Sequence, residues 1–163
     1  MNDKGKRNFL KVALGAIAGF ATTAGWAVPT VARKTFAVVK SDTEWRRILS
    51  PLAYRVLRKE YTEPPFSSPL NNEKRRGNFT CAGCGQKLFN ALTKYDSGTG
   101  WPSFWRPIRG AVGTKADYGL HLPRTEVHCS RCGGHLGHVF DDGPEPTGKR
   151  YCMNGAALKF EPV

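Results

Sequence analysis

Acidic residues are scarce in this chain. Thirteen Asp and Glu stand against 25 Lys and Arg, a formal net charge of +12. Such an excess attracts acidic partners, nucleic acid among them. The distribution that a groove reader needs is missing, however: there is no long basic run and no helical stripe of like charge. Lys4, Lys6, Arg7 and Lys11 against Asp3 place +3 in the first eleven residues, and most of the remainder is dispersed. Nucleic acid is therefore not an expected partner, and the charge reads as general solubility. The chain also lacks an apolar run of the roughly 20 residues that a membrane span needs. No internal repeat is visible beyond two short cysteine units. At 163 residues there is room for one domain with a true core but not for two, and a monomer is expected.

The N-terminus carries an address. KGKRNFLK precedes VALGAIAGFATTAGWA, sixteen uncharged residues from Val12 to Ala27. A basic segment, an apolar segment and small residues at the end mark a secretory signal. Gly25 and Ala27 supply the small residues, so cleavage is expected after Ala27. KRNFLK is also similar to the twin-arginine export motif, with Lys6 in place of the first arginine. Residues 1–27 are thus read as a signal peptide and 28–40 as an extended arm. The protein is expected outside the cytoplasm, in a periplasm; the alternative is an uncleaved membrane anchor.

Two short helices are predicted next. Ser41 with Glu44 forms a capping box, followed by Trp45, Ile48 and Leu49 on one apolar face. Ser50-Pro51 restarts the pattern, with Leu52, Tyr54, Val56 and Leu57, until Glu60 and the prolines at 64 and 65. Beyond Asn71 short apolar runs alternate with glycine-containing turns, an antiparallel β pattern. The 18 Gly and 11 Pro agree with that texture. The domain, 41–163, is therefore read as mainly β with a small α contribution.

Four of five cysteines form two matched units, Cys81-Ala-Gly-Cys84-Gly and Cys129-Ser-Arg-Cys132-Gly. Thiolates two residues apart grip one ion if the turn between them is tight, and the glycine after the second cysteine permits the φ > 0 that such a turn uses. Two turns meeting complete a closed tetrahedral site of the structural zinc kind. Other readings are two small redox disulfides, a thioredoxin-like dithiol without its flanking βαβ pattern, and a nucleic-acid zinc knuckle without interleaved basic and aromatic residues.

Cys152 is then alone. On spacing it is as readily a buried filler as a reactive group. Arg150 lies two residues before it, on the same face of a strand, where a guanidinium favours the thiolate. His135-Leu-Gly-His138 follows the second cysteine unit, and Trp101 lies in a Gly/Pro-rich loop of the kind that carries binding groups. Each has an ordinary alternative: strand histidines, extra metal ligands, core tryptophan. Trp105 is read as core, and His121 and His128 as structural.

GNFTCAGCGQKLF, KYDSGTGWPSF, RTEVHCSRCGGHLGHVFDDG and RYCMNGAALKF, in that order, resemble the peptide-methionine (R)-S-oxide reductase family, MsrB. With PLAYRVLRKEYTEPPFSSPL the resemblance covers about Thr43 to Phe160. It implies two antiparallel sheets with short N-terminal helices, zinc at the four cysteines, and methionine-R-sulfoxide in proteins as substrate. It further implies Cys152 as the nucleophile and Trp101 as the wall for the substrate methyl group. His135 and His138 match the paired histidines, and Asn154 and Arg150 the residues flanking the nucleophile. Alternative functions are a non-catalytic zinc-knuckle module and an enzyme acting mainly on free methionine-R-sulfoxide.

Such chemistry needs a thiolate and an acid together, and leaves Cys152 as a sulfenic acid. Many family members carry a resolving cysteine where this chain has Thr99. Regeneration is therefore expected from an external thiol, thioredoxin-like or, after export, a periplasmic or membrane-linked relay. Export itself is checked at the N-terminus: the mature protein should begin at Val28, and a cytosolic protein beginning at Met1 sinks the expectation.

Overall fold

The computed structural model describes residues 36–119 and 122–163. The expected signal at 1–27, the expected arm as far as residue 35, and His121 lie outside the described residues. Among the described residues no helix is long and apolar enough to cross a membrane. The alternative of an anchor at Val12 to Ala27 concerns residues outside them.

Helix α1 (Asp42–Ile48) starts at Ser41, whose hydroxyl accepts the Glu44 N–H while the Glu44 carboxylate accepts the Ser41 N–H. Two free donors are satisfied reciprocally. Helix α2 (Pro51–Lys59) starts at Ser50, whose hydroxyl accepts the Ala53 N–H, and stops where Glu60 turns left-handed at φ 55°. Trp45 and Leu49 are buried from the first segment, and Ala53, Tyr54, Val56 and Leu57 from the second. Ile48 and Leu52, expected on the apolar faces, are exposed instead. Ile48 stands about 100° round the axis from Leu49, and α1 is too short to wrap a wider face.

The strands among the described residues are β1 (Gly77–Cys81), β2 (Lys87–Asn90), β3 (Lys94–Tyr95), β4 (Ser103–Phe104), β5 (Val112–Asp117), β6 (Arg124–Cys129), β7 (His135–Phe140), β8 (Arg150–Met153) and β9 (Leu158–Pro162). They build a three-stranded sheet in the order β2-β1-β9 and a six-stranded sheet in the order β3-β4-β8-β7-β6-β5. Every pairing is antiparallel. The mainly β, two-sheet architecture is as expected.

The sheets meet through aromatic rings. Phe104 of the larger sheet stacks on Phe89 at 4.3 Å and meets Phe79 edge-on at 4.9 Å, both from the smaller sheet. All three rings are fully buried, each worth roughly 1.5–3 kcal/mol in water excluded. The helices cover the cysteine turns. A Cβ on Gly83 would lie 3.3 Å from the Trp45 ring, and one on Gly134 2.8 Å from the Leu57 side chain. The described end of the arm rests on the second turn, with the Val38 N–H donating to the Arg131 carbonyl at 2.9 Å and Phe36 edge-on to His128. His128 is a buried strand residue, and Trp105, expected in the core, is only half-buried with the Arg106 guanidinium over its ring.

Candidate active site

The two cysteine turns have the same build. The Gly85 N–H donates to the Cys81 carbonyl and the Gly133 N–H to the Cys129 carbonyl, both at 2.9 Å. Gly85 and Gly133 sit at φ +72° and +68°, the left-handed backbone anticipated for glycine after the second cysteine. All five cysteines are free thiols. The four sulfurs of Cys81, Cys84, Cys129 and Cys132 lie within 4.8 Å of one another. Contacts between the turns are 3.7 Å for Cys81 with Cys132 and 3.6 Å for Cys84 with Cys129. A tetrahedral ion with sulfur bonds of about 2.3 Å sets sulfur–sulfur edges of about 3.8 Å, so the donor set fits a metal ion. The charges agree: hydrogen bonding with Cys129 holds the Cys81 and Cys132 thiols up, while Cys84 and Cys129, accepting from their neighbours, come down. Sulfurs this close cannot all be anionic without a cation between them.

Cys152 sits on β8, inside the larger sheet, with Ser103 of β4 opposite it on one side and His138 of β7 on the other. Residues directly opposite in a sheet share a face. The thiol is half-buried, and the Thr99 hydroxyl lies 3.9 Å from Sγ. Behind Thr99 the Ser97 hydroxyl bonds both Thr99, at 2.8 Å, and Ser103, at 2.7 Å. Burial pushes the Cys152 thiol up, and the Thr99 hydrogen bond and the Arg150 charge pull back only in part. Arg150 was expected to favour the thiolate substantially. It does act in that direction, but its fork is committed to Asp142, Nε to Oδ1 at 2.8 Å and an amino nitrogen to Oδ2 at 2.7 Å. Desolvation therefore wins, and the resting group is a thiol.

The histidines reach one side of the sheet by an irregularity. Residues three apart on a regular strand face opposite ways. Here His128 opposes His135 but Val127 opposes Gly137, so β7 carries one extra residue. This bulge brings the His135 and His138 rings to 5.4 Å between centroids, edge to face. His138 Nε2 lies 2.7 Å from Asp117, itself paired with Arg124. Asp117 is held well below the carboxylate range by the Gly119 N–H first and His138 next, so Nε2–H is the donor and Nδ1 the free acceptor. His135 Nδ1 lies 2.9 Å from buried Glu126, which also pairs with Lys115. Burial lowers His135 to about 4 and lowers His138 as well, the latter against the pull of Asp117. Both rings are therefore neutral near neutral pH.

Cys152, His138, Trp101 and Asn154 line one pocket of about 110 Å³, together with Thr62, Arg124, Gly137 and Phe140. His135 and Arg150 are not in that lining. His135 stands behind His138, facing a second opening with Glu60 and Glu126, and Arg150 lies over the Phe140 ring. Trp101 is fixed by its indole N–H, donated to the Glu63 carbonyl at 3.0 Å. Asn154 accepts the Glu63 N–H at 2.9 Å and donates to the Leu136 carbonyl at 3.0 Å. The sequence reading missed Glu63, Asp117, Arg124 and Glu126. Glu63, Arg124 and Glu126 lie in segments it had noted and Asp117 does not, and no local spacing ties Glu63 to Asn154, 91 residues away.

The SelR domain matches residues 49–162 of the chain. Among curated proteins, the peptide methionine sulfoxide reductase MsrB of Methanosarcina barkeri is 55% identical over 126 residues, covering 77% of this chain and 89% of that one. The MsrB of Bradyrhizobium diazoefficiens is 54% identical, covering 77% and 91% of the two chains, and that of Leptospira interrogans 50%, covering 77% and 97%. Cysteine turns, paired strands and pocket thus lie within a match that spans nearly the whole of each relative, and the chain belongs to the SelR-domain, or MsrB, family.

Proposed function

We propose that this protein reduces methionine-R-sulfoxide residues in oxidised proteins to methionine, with Cys152 as nucleophile. The observation that carries the reading is the meeting of Cys152, His138 and Trp101 in one pocket of an MsrB chain. The relatives' name, peptide methionine sulfoxide reductase, supports the substrate class.

The resting proton inventory suits the reaction. A half-buried thiol stands across the sheet from a neutral imidazole with one open nitrogen. As Sγ attacks the sulfoxide sulfur, its proton passes to His138 and on to the sulfoxide oxygen. A buried imidazolium gives up a proton readily because the same desolvation disfavours its charge. Oxygen leaves with the enzyme as Cys152 sulfenic acid; the substrate sulfur gains two electrons and Sγ loses two. Trp101 forms the apolar wall for the methyl group, which together with the oxygen's proton donor selects one epimer. His135 and Arg150 act from behind, through His138 and by charge, and Asn154 positions the turn after Cys152.

A first external thiol displaces water from the sulfenic acid to give a mixed disulfide, and a second releases Cys152 as the thiol. Thr99 holds the place of the resolving cysteine that the resemblance implies, and its hydroxyl lies 3.9 Å from Sγ. The metal is zinc, which suits four thiolates in a closed tetrahedron and leaves Cys152 free. Export by a twin-arginine-like route would place the reductant in a periplasmic or membrane-linked relay.

With dithiothreitol as reductant, the purified protein should consume only the R epimer of a dabsylated methionine sulfoxide, and Cys152→Ser should drop to background. Full activity in that variant, or turnover of the S epimer, rules out the assignment. Thr99→Cys should gain an intramolecular disulfide with Cys152 during turnover, seen as the loss of two titratable thiols; sulfenic acid still trapped by dimedone at wild-type yield would count against this placement. One zinc per chain is expected by atomic emission, retained in Cys152→Ser. Stripping it should remove binding energy on the order of 10 kcal/mol and unfold the domain, whereas an unchanged urea midpoint without metal would refute the structural role.

A further inference from the structure

We infer that Glu63 is a positioning residue of this site, holding the segment after Cys152 and the Trp101 ring in fixed mutual register; the inference rests on the reading of Cys152 as nucleophile. Glu63 lies between α2 and the 3₁₀ turn Pro69–Asn72, on the short segment whose Thr62 lines the pocket. It is only 3% exposed. Its carboxylate is met by main-chain donors: one oxygen accepts the Gly155 N–H and the other the Ala156 N–H, the latter at 2.9 Å.

A carboxylate buried against two amide groups is an expensive choice for a filler position, because desolvation is repaid only by those bonds. An apolar side chain of like size would fill the space at lower cost. What the carboxylate adds is reach. Gly155 and Ala156 follow Asn154 directly, three and four residues after Cys152. The approach is close: a Cβ on Gly155 would fall 1.9 Å from the Ser68 hydroxyl and 3.2 Å from the Glu63 carboxylate. Residue 155 therefore has to be glycine for the grip to close.

The main chain of Glu63 itself holds the other parts. Its N–H donates to Asn154 Oδ1 at 2.9 Å, and its carbonyl accepts the Trp101 indole N–H at 3.0 Å. One residue thus touches the wall of the pocket, the asparagine that lines it and the backbone that leaves the nucleophile. Displacements of about 1 Å at a reacting pair cost on the order of 100-fold in rate. Replacing the side chain releases the 155–156 end while the two main-chain bonds remain available, so the methyl wall should stay and the nucleophile should shift. The effect belongs on kcat more than on KM.

Glu63→Gln and Glu63→Ala are to be compared with wild type in the full protein. Turnover of R-sulfoxide peptide is the first readout, and the pH profile of Cys152 alkylation by iodoacetamide, followed by mass spectrometry of its peptide, is the second. Gln keeps one acceptor but turns a donor toward an N–H, so it should fold, by near-UV circular dichroism, and lose kcat roughly tenfold or more with little change in KM. Ala should lose more, and if it fails to fold the Gln variant carries the test. Folded variants with wild-type kcat and an unchanged alkylation profile overturn the inference. A loss of activity matching only the unfolded fraction overturns it too. If wild type shows no turnover at all, the proposed function fails, and the alkylation profile alone then decides on Glu63.

Discussion

The four sulfurs form the junction on which the rest is hung. Cys81 ends β1 of the smaller sheet and Cys129 ends β6 of the larger one, and their turns meet with sulfur contacts of 3.6 and 3.7 Å. Bringing Cys84 and Cys129 together closes a loop of 44 intervening residues, whose entropy has to be overcome before any local contact rewards it. Once closed, the junction sets the start of β7, because His135 follows Cys132 by three residues. The bulge against β6 then sets the histidine faces, and β7 sets β8 through the pairing of His138 with Cys152. The distance from cysteine turn to thiol is therefore measured out in strand register, which a sheet buried on one face does not let slip.

Electrostatics follow from that burial. The pocket gathers groups that titrate, yet its centre is uncharged: a thiol raised by desolvation faces an imidazole lowered by desolvation. The charged groups are paired, Asp117 with Arg124 at the pocket wall, and Glu126 with Lys115 and Asp142 with Arg150 behind it. Each outer carboxylate fixes a ring tautomer or a guanidinium without placing a net charge beside the sulfur. Such an arrangement keeps the Cys152 thiol protonated, and under the proposed reaction it holds the sulfur back until a substrate arrives that uses the proton as well.

Local chemistry was legible in the sequence, and long-range geometry was not. The capping box at Ser41, the proline start of α2 and the left-handed glycines after each second cysteine depend on neighbouring residues only, and all are present. Of the pocket members, Cys152, His138 and Trp101 were singled out from their local sequence, and Asn154 was named by the family resemblance. The sequence reading went astray where a distant group decides the outcome. Ile48 fits an apolar face by period but finds no core above it. Arg150 does pull the Cys152 thiol toward the thiolate, but Asp142, eight residues earlier, takes its fork and burial outweighs it. Glu63 gave no local signal, because its meaning lies in amide groups more than ninety residues on.

Under the proposed reaction, the surroundings of Cys152 finally bear on how its oxygen would be removed. A second thiol at position 99 would face Sγ across the gap now held by the Thr99 hydroxyl. The hydroxyl cannot form a disulfide, but it lies 3.9 Å from Sγ and joins Ser97 and Ser103 in a bonded set. Hydrogen bonds of that kind favour an anionic sulfur or a sulfur–oxygen product over a bare thiol. Under the proposed reaction, the chain thus exchanges a fast internal exit for a stabilised intermediate. That exchange works only if the intermediate lives long enough to meet a second molecule, and a half-buried sulfur flanked by hydroxyls meets this requirement better than an exposed one.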